Sequence, residues 1–558
     1  MARENRRDKR IVDDVLAHFK EYKTQASERI DRYNQNKKWF ETEQKHYEKY
    51  MYPTGRKNYQ PMALANIIEA NIRTVVAVLT DAKPIMRAVG VPYKRLTPEE
   101  IDKMNVLSEN LDAVLGHIWR VNHMHEKLKR IVLDGSLTGT MCARVFWDKQ
   151  RYNGIGEVCI EPVHPRYIFF DQTVTDLNIE DGSCDYFIYA IPKPLSWFQY
   201  YWPGKKVKAI EDKESEQTLS DKGLYIECYK ADYELEEYEG EDKTTKTRVK
   251  YPKGRRIIVG TDTLLLDEPL DIFPFAVEPI SNKTETFWGE DDVYRQMFLQ
   301  NELDQKMCQV ATHIALSAVS QTVGDDNCGI DQDEFMAHAD EPGYHFKLEG
   351  GARMDDLRNH FGPLERENKF EHELMNYPFI ILEFMEKVTG VTKLIQGMAA
   401  KSERQTGFEI GKMLETATIR LRERAGHVES LIRQIGLACL EYVKNNYKEE
   451  RDVWFVDQEK NEMVANTFRW PTEEKKGLTG EDVPVDYEFD IVVQPDTTLP
   501  IDLNSQADLA MRLKERGVIS NAEVLKRVRY PDLSAALPDP METPQGQPNP
   551  PVPAVGAR

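Results

Sequence analysis

The chain has no apolar run long enough to cross a membrane. Its longest, such as Tyr377 to Leu382, fall far short of the ~20 residues a spanning helix needs. Met1 to Arg10 is charged and leads into an amphipathic stretch with no apolar signal core behind it, so no leader is expected. Cysteine is sparse. The seven stand at 142, 159, 184, 228, 308, 328 and 439, an odd number with no pair at metal-knuckle spacing. Reduced, mostly buried thiols of a cytosolic product are the expectation. Positive charge is in deficit: 74 Lys and Arg face 94 Asp and Glu, a net charge of −20 over 558 residues. That disfavours a general nucleic-acid coat, which is normally basic. It leaves room for a protein that handles DNA without gripping it.

Catalytic signatures are also missing. No Gly-x-x-x-x-Gly-Lys-Ser/Thr loop offers a phosphate cradle, and no His-Glu-x-x-His helix offers a zinc site. Gly135-Ser136-Leu137-Thr138-Gly139 resembles a nucleophile elbow, but Leu137 stands where the serine belongs. His123 and His125, one residue apart on an expected helix, point to different faces and suit packing better than a metal. Asp325, Asp326, Asp331, Asp333 and Glu334 invite a calcium reading. The glycine and the closing glutamate of a calcium loop are misplaced, so a solvated loop fits better. No cofactor, no metal and no enzymatic activity are expected.

What is present is a long alternation of helix and strand patterns. Val15, Phe19, Tyr22, Ala26, Ile30 and Tyr33 recur at helical spacing as one stripe, and the first ~130 residues read as helical. A second helix is expected from Ala63 to about Asp81. Thr97, Pro98 and Glu100 form a capping box with proline at the first helical position. That helix runs through Leu107, Leu111 and Ile118 toward Leu133. From Met141 the pattern turns to short strands at 143–147, 157–161, 167–170, 225–238, 247–251, 256–259 and 263–266. Pro252-Lys253-Gly254 reads as a hairpin turn, and 211–222 as a polar loop. The middle third is therefore expected to be an antiparallel β-rich unit.

Helix returns over 291–317, with an apolar stripe through Val293, Met297, Leu303, Met307, Val310 and Ile314, ~40 Å long. An acidic irregular piece follows to about Pro363, then a helix over 365–388 and a loop to about 405. The strongest helical pattern spans 406–446, ~60 Å, with Leu414, Leu421, Val428, Leu431, Ile435 and Tyr442 on one seam. One small domain would not cover such a seam, so packing against further copies is expected, with an elongated monomeric bundle as the alternative. Basic residues punctuate this region: Lys393, Lys401 and Arg404 in the loop, then Lys412, Arg420, Arg422, Arg424 and Arg433 on the helix. The helix set reads as a solvated face with pairs such as Glu429 with Arg433. The loop set suits sequence-independent phosphate contacts. Two strands are expected at 452–456 and 486–493, two short helices at 503–515 and 521–528, and a Pro-rich disordered tail from Pro538.

Several stretches together resemble the tailed-bacteriophage portal protein. Leu133 to Thr140 followed by Ala143-Arg144-Val145-Phe146-Trp147-Asp148 is similar to its turn and strand ending in Trp-Asp. Val163 to Asp171, Phe273-Pro274-Phe275, Trp288-Gly289 and Gln300-Asn301 resemble further segments in the same order. So do Thr389-Gly390-Val391-Thr392, Gln396-Gly397, Gln405-Thr406-Gly407 and Gly517-Val518-Ile519-Ser520. The likeness spans most of Ala63 to Leu533.

The resemblance implies an α+β portal-type fold assembled as a ring, usually of twelve copies, with double-stranded DNA in the centre. It implies a wing at 1–290, a first stem helix at 291–318, a clip at 319–364 and a second stem helix at 365–388. A tunnel loop would follow at 389–405, a tunnel helix at 406–450, wing return strands at 451–502, crown helices at 503–537 and a tail at 538–558. Lys393, Lys401 and Arg404 would face DNA. The acidic set Asp325, Asp326, Asp331, Asp333 and Glu334 would lie in the clip that docks the terminase large subunit or an adaptor. The major capsid protein and head–tail adaptor or tail proteins are the further partners, at one vertex of a virion assembled in the host cytoplasm, with no membrane. Another phage head–tail structural protein, or an enzyme with an unrecognised site, are the rival readings.

Overall fold

The structure is a computed structural model. It describes residues 2–52, 60–81, 84–91, 97–210, 221–239, 245–318, 372–391, 407–456 and 463–471. Shorter described pieces are 54–56, 322–324, 330–338, 346–347, 359–363, 474–476, 482–484 and 488–493, with single positions at 355, 511 and 514. The helices are α1 (Ala2–Gln25), α2 (Ser27–Phe40), α3 (Gln44–Met51), α4 (Ile67–Thr80), α5 (Pro98–Val121), α6 (Met124–Thr138), α7 (Leu195–Tyr201), α8 (Asp292–Ala318), α9 (Gln332–His338), α10 (His372–Thr389) and α11 (Gly407–Asn446). The strands run β1 (Met86–Gly90), β2 (Thr140–Asp148), β3 (Glu157–Pro162), β4 (Ile168–Phe169), β5 (Tyr186–Pro194), β6 (Lys222–Lys230), β7 (Leu235–Glu239), β8 (Thr245–Val249), β9 (Arg255–Gly260), β10 (Thr263–Pro269) and β11 (Phe275–Pro279). They continue with β12 (Thr322–Gly324), β13 (Phe361–Pro363), β14 (Arg451–Val456), β15 (Met463–Phe468), β16 (Glu474–Lys476), β17 (Asp482–Pro484) and β18 (Phe489–Val493). The mixture of separate helical and antiparallel elements is an α+β fold.

The chain divides into two compact units. Unit 1 holds residues 1–37, 70–293 and 390–558; unit 2 holds 38–69 and 294–389.

In unit 1 every described ladder is antiparallel. A five-stranded sheet has the order β10-β9-β6-β5-β4, and a three-stranded sheet the order β11-β2-β3. One core joins α5, α6 and α11 to β2 and β3 through Leu111, Leu115, Ile131, Val145, Ile160 and Leu431. A second, rich in aromatics, packs the five-stranded sheet through Phe187, Tyr225, Tyr229, Phe275 and Trp288. The other face of that sheet is covered by Val12, Val15 and Tyr22 of α1 against Ile188, Ile226 and Val259. Strand β6 is buried on both faces because one core covers Tyr225 and Tyr229 and the other covers Ile226 and Cys228.

Local chemistry sets the boundaries. The expected capping box is present: Thr97 Oγ1 accepts from the Glu100 amide at 3.4 Å, and Glu100 Oε2 accepts from the Thr97 amide at 2.8 Å. The helix it opens does not reach Leu133. It ends at Val121, and α6 restarts after His123, which sits at φ 52. Asn122 is the cause. It is buried, and its side chain accepts from the Ile160 amide and donates to the Val158 carbonyl, at 3.0 and 2.8 Å, tying the break to β3. His123 is therefore outside any helix, and the different-faces reading of His123 and His125 does not apply. Gly135 to Thr138 is helix, closed by Gly139 at φ +87. A Cβ there would stand 2.3 Å from the Gly289 carbonyl oxygen, so Trp288-Gly289 crosses the end of α6 only because both crossing residues are glycine.

Other expectations are corrected. The first 130 residues are not all helical: β1 pairs with β18, joining Met86 to Val493 and Gly90 to Phe489. The N-terminal helix is interrupted at Ala26, yet its stripe continues across the interruption, with Val15, Tyr22 and Ala26 buried in one cluster and Phe19 and Ile30 packed against it. Pro252 to Gly254 closes no hairpin, because β8 pairs with β7 and β9 pairs with β6 and β10. The seam of α11 is covered within the chain from Leu421 onward: Leu421, Val428, Leu431, Ile432, Ile435 and Val443 are all fully buried or nearly so. That half of the helix gives no reason for further copies. The side chains of 407–420 lie outside the described residues.

Unit 2 is built on aromatic packing. Trp39 and Tyr47 are buried and meet edge to face at 4.7 Å, with the Tyr47 hydroxyl donating to the Trp39 carbonyl at 2.7 Å. Asn66 donates to the carbonyls of Trp39 and Phe40, at 3.0 and 3.1 Å, satisfying the end of α2. The inward face of α8 is polar as well as apolar: Gln296, Gln300 and Asp304 are buried beside Leu303 and Cys308. The expected stripe is only partly inward, since Met307 and Ile314 are exposed.

Candidate functional site

The most developed charged constellation is in unit 1. In β6, Tyr225, Glu227 and Tyr229 alternate onto one face. Glu227 is completely buried and lies 2.6 Å from Arg144 of β2 and 2.6 Å from Arg256 of β9. The hydroxyls of Tyr225 and Tyr229 donate to it at 3.1 and 2.6 Å. Burial alone would raise this carboxyl, but Arg144 and Arg256 outweigh it and hold it at about 2. It is a fixed anion with its lone pairs filled, which suits a structural cross-link between two sheets rather than proton transfer. Sequence reasoning passed over it, although Tyr-x-Glu-x-Tyr in a strand places a carboxylate between two aromatic side chains.

Helix α11 carries two further arginine locks. Arg424 is buried and meets Asp292 at 2.6 Å. Exposed Arg433 grips both carboxylate oxygens of Asp490 on β18, each at 2.9 Å. Arg422 is exposed. The described basic residues of α11 therefore include structural partners as well as a solvated face.

The expected DNA-facing residues Lys393, Lys401 and Arg404 lie outside the described residues, as do Asp325 and Asp326. Asp331, Asp333 and Glu334 are described and are not a plain loop. Asp331 caps α9: its Oδ1 accepts from the amides of Asp333 and Glu334, at 2.8 and 3.4 Å, and the latter two fill the first helical turn. The expected crown helices and tail lie almost wholly outside the described residues. Among the described residues no group of three or more His, Cys, Asp or Glu is placed to hold a metal, and no helix is long and apolar enough to cross a membrane. Six described cysteines are free and buried.

The second notable surface is on unit 2. Along α10, Tyr377, Ile380, Phe384 and Val388 recur at steps of three and four and are all exposed. Phe379 is 66% exposed on the same helix, and Phe298 is 65% exposed on α8. Large apolar side chains concentrated on a helix face mark an interaction surface rather than scattered surface residues.

No protein-family model matches the chain, and no curated protein is significantly similar to it.

Proposed function

We propose that the chain is a portal-type subunit: a ring-forming protein at one capsid vertex through which double-stranded DNA is packaged and ejected. The observation that carries the reading is the exposed apolar stripe of α10. A single chain leaves Tyr377, Ile380, Phe384 and Val388 in water on one helix face, and α8 adds Tyr294 and Phe298. Burying such side chains against a neighbour is favourable by ~25 cal/mol per Å² of apolar surface. Repeated around a closed axis, the contact satisfies every copy and leaves no open end.

Charge supports the same reading. Twelve copies would carry about −240. A mostly acidic wall repels phosphates and lets the duplex slide, whereas each fixed cation adds a salt-sensitive attachment. On this reading Lys393, Lys401 and Arg404 act as a small basic set that steers or retains DNA. Asp325, Asp326, Asp331, Asp333 and Glu334 belong to the surface that docks the packaging motor and later the adaptor. The motor ATPase is then a separate protein, in keeping with the lack of a phosphate-cradle motif.

The test is mass photometry and negative-stain imaging of the purified chain. The expected result is rings of about twelve copies with a central hole, dissociated by Ile380→Lys with Phe384→Lys while the fold persists. A monomer at micromolar concentration refutes the proposal.

A further inference from the structure

A cleft of about 390 Å³ opens in unit 1 between α11, the segment before β11 and the loop that follows β4. Phe273 and Phe287 line it, and Asp176, Glu180, Asp271 and Glu441 stand around them with their side chains exposed. None of these four carboxylates has a hydrogen-bond or ion-pair partner among the described residues. A fifth acid, Glu278, is already held by Gln434 and His427, at 2.8 and 3.0 Å. Among the described residues Lys253 is the one cation of the lining, and it donates to the backbone carbonyl of Asp271 at 3.3 Å. The recess therefore combines aromatic faces with uncompensated negative charge. That combination fits guanidinium groups, which stack on rings and fork onto carboxylates.

The matching charge stands elsewhere on the same chain. The first turns of α1 carry Arg6, Arg7, Lys9 and Arg10, all exposed and none paired among the described residues. Asp8 is the one acid between them. Helix α1 is anchored to the five-stranded sheet by Val12, Val15 and Tyr22. Among the described residues no ion pair joins these two charged features, and the pairing left open to them is between copies.

We propose that the acid-rimmed cleft receives the basic N-terminal turns of α1 from a neighbouring copy. The inference rests on the ring reading above and adds a second contact to it. Cleft and helix end are different surfaces, so the contact can repeat head-to-tail around an axis, and the ring reading takes that form rather than the reciprocal two-fold pairing of the same surfaces. Being exposed and ionic, it sets register and assembly rate and weakens with salt.

The test uses the full chain. Light and isotope-heavy chains are mixed, assembled and treated with a carbodiimide, which couples Lys9 directly to any carboxylate it touches. The expected product is a mixed-isotope link from Lys9 to Asp176, Glu180, Asp271 or Glu441. Combining Arg6→Glu, Arg7→Glu and Arg10→Glu is expected to weaken assembly about 10-fold, and adding Glu180→Arg with Glu441→Arg to recover most of that loss. Rings that form without the Lys9 link, or without recovery, overturn the cleft proposal and leave the ring reading standing. A link from these carboxylates to a different segment of the neighbour overturns the assigned occupant. A chain that is folded by circular dichroism yet stays monomeric overturns both readings.

Discussion

Replacing Glu227 with glutamine removes one negative charge from a place where two arginines depend on it. Arg256 keeps a second partner, Glu268 at 3.0 Å, whereas among the described residues Arg144 is ion-paired with Glu227 alone. The glutamine oxygen still accepts from one tyrosine hydroxyl, so packing changes little. The loss is electrostatic, and removing one partner of a buried ion pair costs about 3–5 kcal/mol. Because Arg256 is partly compensated, the expected loss for unit 1 lies near the lower end, at about 3 kcal/mol. Adding Arg144→Met removes the stranded charge and is expected to recover at least ~1 kcal/mol, a coupling that independent sites would not show. Amide exchange over residues 222–230, at matched protein concentration, reads the opening free energy of the central strand. The pH dependence supplies a second arm. The folded carboxyl is held below its ordinary value, so its stabilisation is present above the unfolded value of 4.5 and fades as pH falls toward about 2. The glutamine variant should lack that slope. A loss below ~1 kcal/mol, or a double variant no better than the single, would refute the view of Glu227 as the tie between the two sheets.

Asp304 in unit 2 has the opposite sign. Burial raises its carboxyl to about 6 despite the Gln300 amide and the Ala65 amide that favour the anion. The stability it contributes is full below the unfolded value of 3.8 and is lost as pH rises through about 6. Asp304→Asn is therefore expected to stabilise unit 2 by ~1–3 kcal/mol at pH 8 and by far less at pH 4, and equal effects in thermal melts at the two values would count against this. Thr97→Ala removes the capping box of α5 and should cost about 1 kcal/mol by chemical denaturation, with no change in assembly. Lys393→Glu, Lys401→Glu and Arg404→Glu are expected to reduce DNA retention in packaging assays while rings still form; normal packaging by all three would remove the loop from the proposal.

The parts of the fold legible in the sequence are those whose cause is local. Thr97, Pro98 and Glu100 announce the start of α5 because the cap is made by neighbouring residues. The pattern that foretold 406–446 as helix works because helical spacing is intrinsic to the chain. The break at Asn122 was not legible, since its reason is a pair of hydrogen bonds to β3, 36 and 38 residues away. Strand β1 was missed because its partner β18 lies some 400 residues further along the chain. The same holds for the site residues. The basic and acidic loop residues stand out by composition, whereas Glu227, Arg144 and Arg256 look like ordinary strand charges until three strands bring them together.

The sequence by itself determined the α+β composition, the antiparallel character of the middle third, the acidic balance and the extent of α8 and α11, because propensity, periodicity and net charge are properties of the chain. The tertiary structure alone decided which charges are spent inside and which remain on the surface. Arg144, Arg256 and Arg424 are paired within the chain, while among the described residues Arg6, Arg7, Lys9 and Arg10 have no ion-pair partner. It also decided where apolar surface is left over: from Leu421 onward the α11 seam is covered, whereas α10 buries Ile381 and Met385 and leaves Tyr377, Ile380, Phe384 and Val388 exposed. Burial depends on which neighbours long-range packing supplies, and no local pattern carries that information.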